Sequence, residues 1–155
     1  MKHTEIAGGL FSKGYYCSQA VLAAFAEELG MSTEQALKVG ACFGGGMCKA
    51  EVCGACTGAL MALGLKYGMY TDGDFESKQR ANSYTVRFLD AFAQQNGSYI
   101  CRELLGCDIS TDEGKTYARA NGLYATLCPK MIESAVLIAE KLITEQEGTL
   151  ENGEA

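Results

Sequence analysis

The segment EVCGACTGALMALGLKY, residues 51–67, decides the fold, because it is apolar on nearly every side when it is wound as a helix. A helix that is apolar all round belongs in the interior of a domain. Within the segment, Gly54, Gly58 and Ala62 recur every four residues and therefore form one stripe of small residues. We expect a neighbouring helix to pack closely along this stripe, with residues 51–67 at the centre of a helical bundle.

The segments on both sides of the central helix also have helical periodicity. Apolar residues recur at i, i+3 and i+4, and no stretch keeps the alternation of a strand. The pattern predicts further helices over residues 3–13, 17–29, 32–43, 74–95, 111–121 and 128–143, with a short turn at 101–108. We therefore predict an all-α fold, a compact bundle of five to seven helices with short glycine-rich loops.

A run of three glycines, Gly44, Gly45 and Gly46, interrupts the pattern before the central helix. Such a run must end the preceding helix. It also supplies a loop that can adopt positive φ and approach other backbone closely. We therefore assign these glycines, like Gly54 and Gly58, a structural role.

Length and charge limit the classes of function. The 155 residues suit a single domain, predicted over 1–146, followed by an acidic tail at 147–155 that we expect to be disordered. With 13 basic and 19 acidic residues the net charge is −6, and no stripe of Lys or Arg suggests nucleic acid as a partner. The longest apolar stretch, Ala59–Leu65, is too short to span a bilayer, and the N-terminus lacks a signal-peptide pattern. We expect a cytoplasmic protein without membrane insertion.

Eight cysteines carry the chemistry of the sequence. They are Cys17, Cys42, Cys48, Cys53, Cys56, Cys101, Cys107 and Cys128. In a reducing compartment such a number indicates metal binding or thiol redox chemistry. Because the one histidine, His3, falls in an N-terminus predicted to be mobile, a zinc site would be held mainly by thiolates.

Two chemical interpretations fit the cysteine spacing. Cys53-x2-Cys56 at a helix start favours a thiolate of lowered pKa, as in dithiol redox proteins. Cys48-x4-Cys53-x2-Cys56 instead has the spacing of plant-type two-iron clusters, which need one more distant cysteine. A third interpretation is a metal-free accessory module whose thiols simply fill the core. Four cysteines are predicted at or near helix starts: Cys17, Cys53, Cys101 and Cys128.

Several motifs resemble one known family. The run Cys53-Gly54-Ala55-Cys56-Thr57-Gly58 lies between Phe43-Gly44-Gly45-Gly46-Met47 and Ala62-Leu63-Gly64-Leu65-Lys66-Tyr67-Gly68. Cys17-Ser18-Gln19-Ala20-Val21, Cys101-Arg102-Glu103-Leu104-Leu105-Gly106 and Cys128-Pro129-Lys130 complete the pattern. Together these runs are similar to the C_GCAxxG_C_C family of redox-active proteins. The resemblance implies that Cys17, Cys53, Cys101 and Cys128 are the core cysteines.

The same family is related to a region of split-Soret cytochromes, which implies electron transfer with an iron–sulfur site. No haem is implied, because Thr57 follows Cys56 where a c-type haem motif needs histidine. Cys42, Cys48, Cys56 and Cys107 lie outside the family pattern.

We expect a redox protein in which the four core cysteines bind an iron–sulfur cluster, with Cys48 and Cys56 as reserve ligands. Zinc, or no cofactor at all, are the alternatives. The alternative chemistry is thiol–disulfide exchange with Cys53 and Cys56 as the catalytic pair. We expect a redox partner protein whose identity the sequence does not give. A homodimer through Gly54-x3-Gly58 and the question of enzymatic activity both stay open.

Overall fold

The computed structural model describes residues 2–145 and is all-α, as the sequence predicts. The α-helices of this part of the chain are α1 (His3–Ser12), α2 (Cys17–Ala26), α3 (Thr33–Gly40), α4 (Gly54–Tyr67), α5 (Phe75–Asn96), α6 (Cys101–Leu105), α7 (Asp112–Ala120), α8 (Leu123–Thr126) and α9 (Cys128–Ile143). A 3-10 turn, Glu27–Leu29, extends α2, and a π-type turn, Gly46–Ala50, precedes α4. The tail predicted at 147–155 lies outside the described residues.

The predicted number of helices was too low, since residues 2–145 contain nine α-helices. The two extra helices are α6, predicted as a turn, and α8, which was not predicted. Each has only four or five residues. A helix of about one turn is too short to show a repeating apolar face, and periodicity therefore cannot reveal it.

The core of the bundle is built from four long helices. The helices α2, α5 and α9 pack around α4, and α1 covers α2 and α9. The predicted stripe on α4 lies against α2: a Cβ added at Gly58 would come within 2.6 Å of the Ser18 carbonyl oxygen. This face is therefore used inside the chain and is not available for contact with a second copy.

Three of these helices run in the same direction. The first residues of α2 and α9, and the residue before α4, are cysteines, and they lie together at what we name the cysteine end. At the opposite end, which we name the tyrosine end, Tyr67 Oη of α4 donates a 2.6 Å hydrogen bond to the Leu142 carbonyl of α9. Tyr67 also stacks on Tyr84 of α5, with ring centroids 3.9 Å apart.

His3 is held in place, so the prediction of a mobile N-terminus was wrong for this residue. Its Nδ1 lies 2.6 Å from a Glu140 carboxylate oxygen and its Nε2 lies 2.6 Å from one of Glu28. The ring stacks on Phe25 with a centroid distance of 4.3 Å. These contacts tie α1 to the last turns of α2 and α9.

Within residues 2–145, no single helix is both long and apolar enough to cross a membrane. The segments Asp112–Ala120 and Leu123–Ile143 pass that test only when they are taken together, and they are bent by 61° relative to each other.

Candidate functional site

The four core cysteines are all at helix N-termini. Cys17 is the first residue of α2, Cys101 of α6 and Cys128 of α9, while Cys53 is the N-cap of α4. Because α2, α4 and α9 are parallel, their N-termini meet at one end of the bundle. The partial positive charge of a helix N-terminus favours negative groups, so this arrangement suits thiolates.

A short antiparallel bridge fixes Cys53 relative to Cys101. The Cys53 amide donates to the Tyr99 carbonyl at 2.8 Å, and the Cys101 amide donates to the Glu51 carbonyl at 2.5 Å. Arg102 then holds the segment that leads into α4. It donates to the Ala50 carbonyl at 3.1 Å and pairs with the Glu51 carboxylate at 2.9 Å. The two cysteines are thus brought together by backbone pairing that periodicity does not predict.

The core cysteines border one cavity of about 520 Å³, and so does the reserve ligand Cys48. The other side chains lining it are Phe11, Tyr15, Tyr16, Leu104, Leu105, Ile109, Lys115, Arg119, Tyr124, Leu127 and Met131. Sequence reasoning missed the contribution of α7 and α8, because no motif links them to the cysteines. The structure therefore places the thiols in the wall of a sizeable opening.

Gly54 provides the space for one of these sulfurs. A Cβ at this position would overlap the Sγ of Cys17, and it would lie 3.2 Å from the Phe43 carbonyl oxygen. Only a residue without a side chain lets Cys17 reach the first turn of α4, beside Cys53.

Cys53 is the one core cysteine whose pKa is lowered. The Cys56 thiol donates a hydrogen bond to its sulfur, and the amides of Ala55 and Cys56 add further donors, while burial opposes the shift. Burial and the donation to Cys53 raise the pKa of Cys56 far above its usual range. Cys56 is fully buried behind Cys53 and does not line the cavity.

The other core cysteines hold their protons more tightly. Burial, together with the charge of Cys53, raises the pKa of Cys101 to about 12 and that of Cys128 to about 11. Burial and the neighbouring thiolates also raise the pKa of Cys17, against one donated bond from the Gly45 amide. These mutual effects show that the four sulfurs lie within electrostatic reach of one another. A positively charged group would be needed to make all four thiolates together.

The glycine loop forms a left-handed turn next to the cavity. Gly45, Gly46, Met47 and Cys48 have φ between 59° and 62°. The expected positive φ occurs at Gly45 and Gly46, and it continues into two residues that disfavour it by about 1–2 kcal/mol each. The turn directs the Gly45 amide to Cys17 and brings Cys48 to the cavity. Backbone strain of this kind concentrates at functional sites.

The remaining cysteines differ in position. Cys107 is half-buried, packs with Cys101 in a small apolar cluster and lies outside the cavity lining. Cys42 is exposed and does not line the cavity either. Among residues 2–145, no group of three or more His, Cys, Asp or Glu side chains is arranged tightly enough to hold a single metal ion.

Comparison with known protein families gives a match. The model of one family, described as "Putative redox-active protein (C_GCAxxG_C_C)", matches residues 15–142, which is most of the chain. The chain belongs to the C_GCAxxG_C_C family. The resemblance found in the sequence is thereby confirmed, together with the general description of a redox-active protein. The matched region of this C_GCAxxG_C_C protein contains all four core cysteines and α7. Searches of curated proteins and of solved structures found no match.

Proposed function

We propose that this C_GCAxxG_C_C protein is an electron-transfer protein in which Cys17, Cys53, Cys101 and Cys128 bind an iron–sulfur cluster. The observation that carries the proposal is the meeting of four thiols, each from a separate helix N-terminus, around one cavity. Four cysteine thiolates are the usual ligands of the common two-iron and four-iron clusters, so the donor set fits. When bound, such a cluster accepts and releases single electrons.

The chain's own groups support this role through the charge that they place around the sulfurs. Three parallel helices point their N-termini at the thiols, and the Gly45 amide donates to Cys17. The Cys56 thiol donates a hydrogen bond to the Cys53 sulfur and does not line the cavity, so in this proposal Cys56 is a hydrogen-bond donor and not a ligand. Cys48 lines the cavity and remains a reserve ligand. Donors of this kind around cluster sulfurs tune the reduction potential.

The proposal includes a cytoplasmic location and a redox partner protein. A reducing compartment would keep the eight cysteines, none of which is disulfide-bonded in this structure, available as ligands. A structural zinc ion held by the same thiolates is the alternative occupant, and it would require the four sulfurs to move closer together than they lie in this structure.

The first test is metal analysis of anaerobically purified protein. We expect broad visible absorption near 400 nm with matching iron and sulfide, and loss of both in Cys53→Ser. The matched control is Cys42→Ser, because Cys42 is an exposed thiol outside the cavity. Zinc without sulfide would contradict the iron–sulfur cluster and indicate a structural zinc ion instead. Wild-type protein without metal, or full iron content in Cys53→Ser, would contradict the proposal.

A second candidate function is thiol–disulfide exchange, favoured by the Cys56-to-Cys53 hydrogen bond and the lowered pKa of Cys53. The Cys53 thiolate would attack one sulfur of a substrate disulfide, which breaks the S–S bond, releases the other sulfur as the first substrate thiol and leaves a mixed disulfide on Cys53. Cys56 would then displace the second substrate thiol, leaving a Cys53–Cys56 disulfide. Cys56→Ser should accumulate the mixed disulfide on Cys53. If neither this adduct nor insulin reduction is detected, thiol–disulfide exchange is excluded. If the protein also contains no metal, the remaining interpretation is a metal-free accessory module.

A further inference from the structure

The cavity is larger and chemically more varied than four sulfurs require. Its volume of about 520 Å³ is within the range of small-molecule binding sites, about 300–1,000 Å³. Aromatic side chains from three parts of the chain form much of its wall: Phe11, Tyr15, Tyr16 and Tyr124. Such walls favour flat, apolar ligands.

The charged groups that line the cavity are cations of one helix. Lys115 and Arg119 are one turn apart on α7 and both line the cavity. No carboxylate among the described residues lines it, although the protein carries a net charge of −6. Asp108, next to the lining residue Ile109 in sequence, does not line the cavity, and its carboxylate accepts hydrogen bonds from the Ser110 amide and hydroxyl.

Among residues 2–145, these two cations lack acidic partners. In the described part of the chain neither Lys115 nor Arg119 forms an ion pair, whereas Lys38 pairs with Glu34 at 2.7 Å. A lysine and an arginine on one helix face supply the donors that recognise carboxylate or phosphate.

The position of α7 relative to the cavity is fixed by close backbone contact. Gly114 is buried, and a Cβ there would overlap the Asp108 carbonyl oxygen. Ala118, one turn later, is fully buried. The cations flanking these two residues are therefore attached to a well-packed helix.

We propose that the cavity binds a small organic anion, a carboxylate or phosphate with a flat apolar body, held by Lys115 and Arg119 beside the thiol cluster. The aromatic wall accommodates the body of the ligand, and the two cations select its charged group. This inference rests on the proposed function in that the ligand lies against the redox centre, which makes it a candidate substrate or effector of that centre.

The test uses 1-anilinonaphthalene-8-sulfonate, an aromatic anion, and its uncharged counterpart N-phenyl-1-naphthylamine. We expect the anionic probe to saturate at one site per chain in fluorescence titrations. The double variant K115Q/R119Q should weaken its binding roughly fivefold or more, since two charge-assisted contacts are lost. Binding of the uncharged probe should not change. The matched control K66Q/K78Q removes the same charge from exposed lysines outside the cavity.

Alkylation locates the bound probe independently. Cys48 and Cys42 are both exposed, but of these two only Cys48 lines the cavity. The anionic probe should slow the reaction of Cys48 with iodoacetamide and leave Cys42 unaffected. Equal protection of both thiols, or unchanged affinity in K115Q/R119Q, would overturn the inference.

Iron content separates this test from that of the proposed function. K115Q/R119Q with full iron but undiminished anion binding would refute the anion site alone. If the wild type contains no iron but K115Q/R119Q still weakens binding of the anionic probe, the cluster is refuted and the anion site is retained.

Discussion

The cysteine end and the tyrosine end of the bundle are built on different principles. At the tyrosine end, long helices pack through large side chains, with Tyr84, Phe88 and Phe92 almost completely buried. At the cysteine end, helices begin, a left-handed turn occurs, and the second apolar cluster is small, with Ala50, Cys101 and Leu105 as its buried members. Among the described residues, the positive-φ residues other than glycine and the thiols that line the cavity are thus concentrated at one end.

This separation explains how a short chain can support a strained site. The residues with unfavourable φ weaken the cysteine end. The apolar burial of α2, α4, α5 and α9 compensates for that weakness. Four substitutions, taken from the largest expected effect to the smallest, test whether the two ends have these separate roles.

Phe88→Ala should lower the free energy of unfolding by about 3–5 kcal/mol, because a fully buried aromatic side chain leaves a cavity in the long-helix core. Urea denaturation measures the loss. The matched control is Phe75→Ala on the same helix, where the ring is 61% exposed and the change should stay within about 0.5 kcal/mol. Under native conditions, the rate at which iodoacetamide alkylates Cys48 should be the same in both variants as in the wild type. Faster alkylation in Phe88→Ala would mean that the tyrosine end and the cysteine end do not have separate roles.

Gly54→Ala should destabilise the protein by about 1–3 kcal/mol, because the new methyl group overlaps the Cys17 sulfur in a packed region. Gly64→Ala is the matched control on the same helix. A Cβ at Gly64 meets nothing within 4 Å, so this variant should gain about 0.5–1 kcal/mol from helix propensity. If urea denaturation gives the same change in unfolding free energy for both substitutions, the space left by Gly54 is not needed to accommodate the Cys17 sulfur.

Met47→Gly should stabilise the protein by about 1 kcal/mol, since glycine removes the strain of φ = 60° at this exposed position. The opposite sign is expected for Val86→Gly, at an exposed position in the middle of α5, where the substitution should destabilise the protein by about 0.3–0.5 kcal/mol. Thermal unfolding of both variants measures the pair. A destabilised Met47→Gly variant would indicate that the left-handed turn is not strained.

The His3 contacts predict a small pH dependence. Burial disfavours the imidazolium, but hydrogen bonds with Glu140 and Glu28 outweigh it and raise the pKa of His3 above its usual 6.5. The contribution to stability is therefore complete below the unfolded pKa and disappears as the pH rises through the folded pKa. Solvent screening limits it to below about 1 kcal/mol.

Urea denaturation between pH 5.5 and 8.5 measures this effect, with His3→Gln as the comparison. The wild type should lose stability relative to the variant across this range. A constant difference between the two proteins would refute the assignment to His3.

Periodicity predicted the long helices well because each buries one continuous face. The last helix was predicted at 128–143, and α9 is Cys128–Ile143. The same reasoning missed α8, which is too short for a repeat, and it predicted a mobile His3 because contacts with Glu28 and Glu140 are invisible in a linear pattern. The location of the core cysteines at or near helix starts could be predicted from the helix boundaries.

Their meeting at one cavity depends on tertiary pairing that no local signal contains, such as the bridge between Val52 and Ile100. The contribution of Lys115 and Arg119 was missed for the same reason. The chemistry of the thiols stays a prediction for the metal analysis.

The contact between Gly54 and the Cys17 sulfur has a consequence for the variation of related chains. The two positions are 37 residues apart in sequence, yet one atom of Cys17 occupies the volume that a side chain at 54 would need. Their substitution histories should therefore be coupled. A homologue that has exchanged the first cysteine for a smaller residue loses the closest of these contacts and should tolerate alanine in the second motif better than a homologue that keeps the cysteine. Some crowding remains in both, because the Phe43 carbonyl oxygen and the Ser18 amide nitrogen would each lie 3.2 Å from the added Cβ.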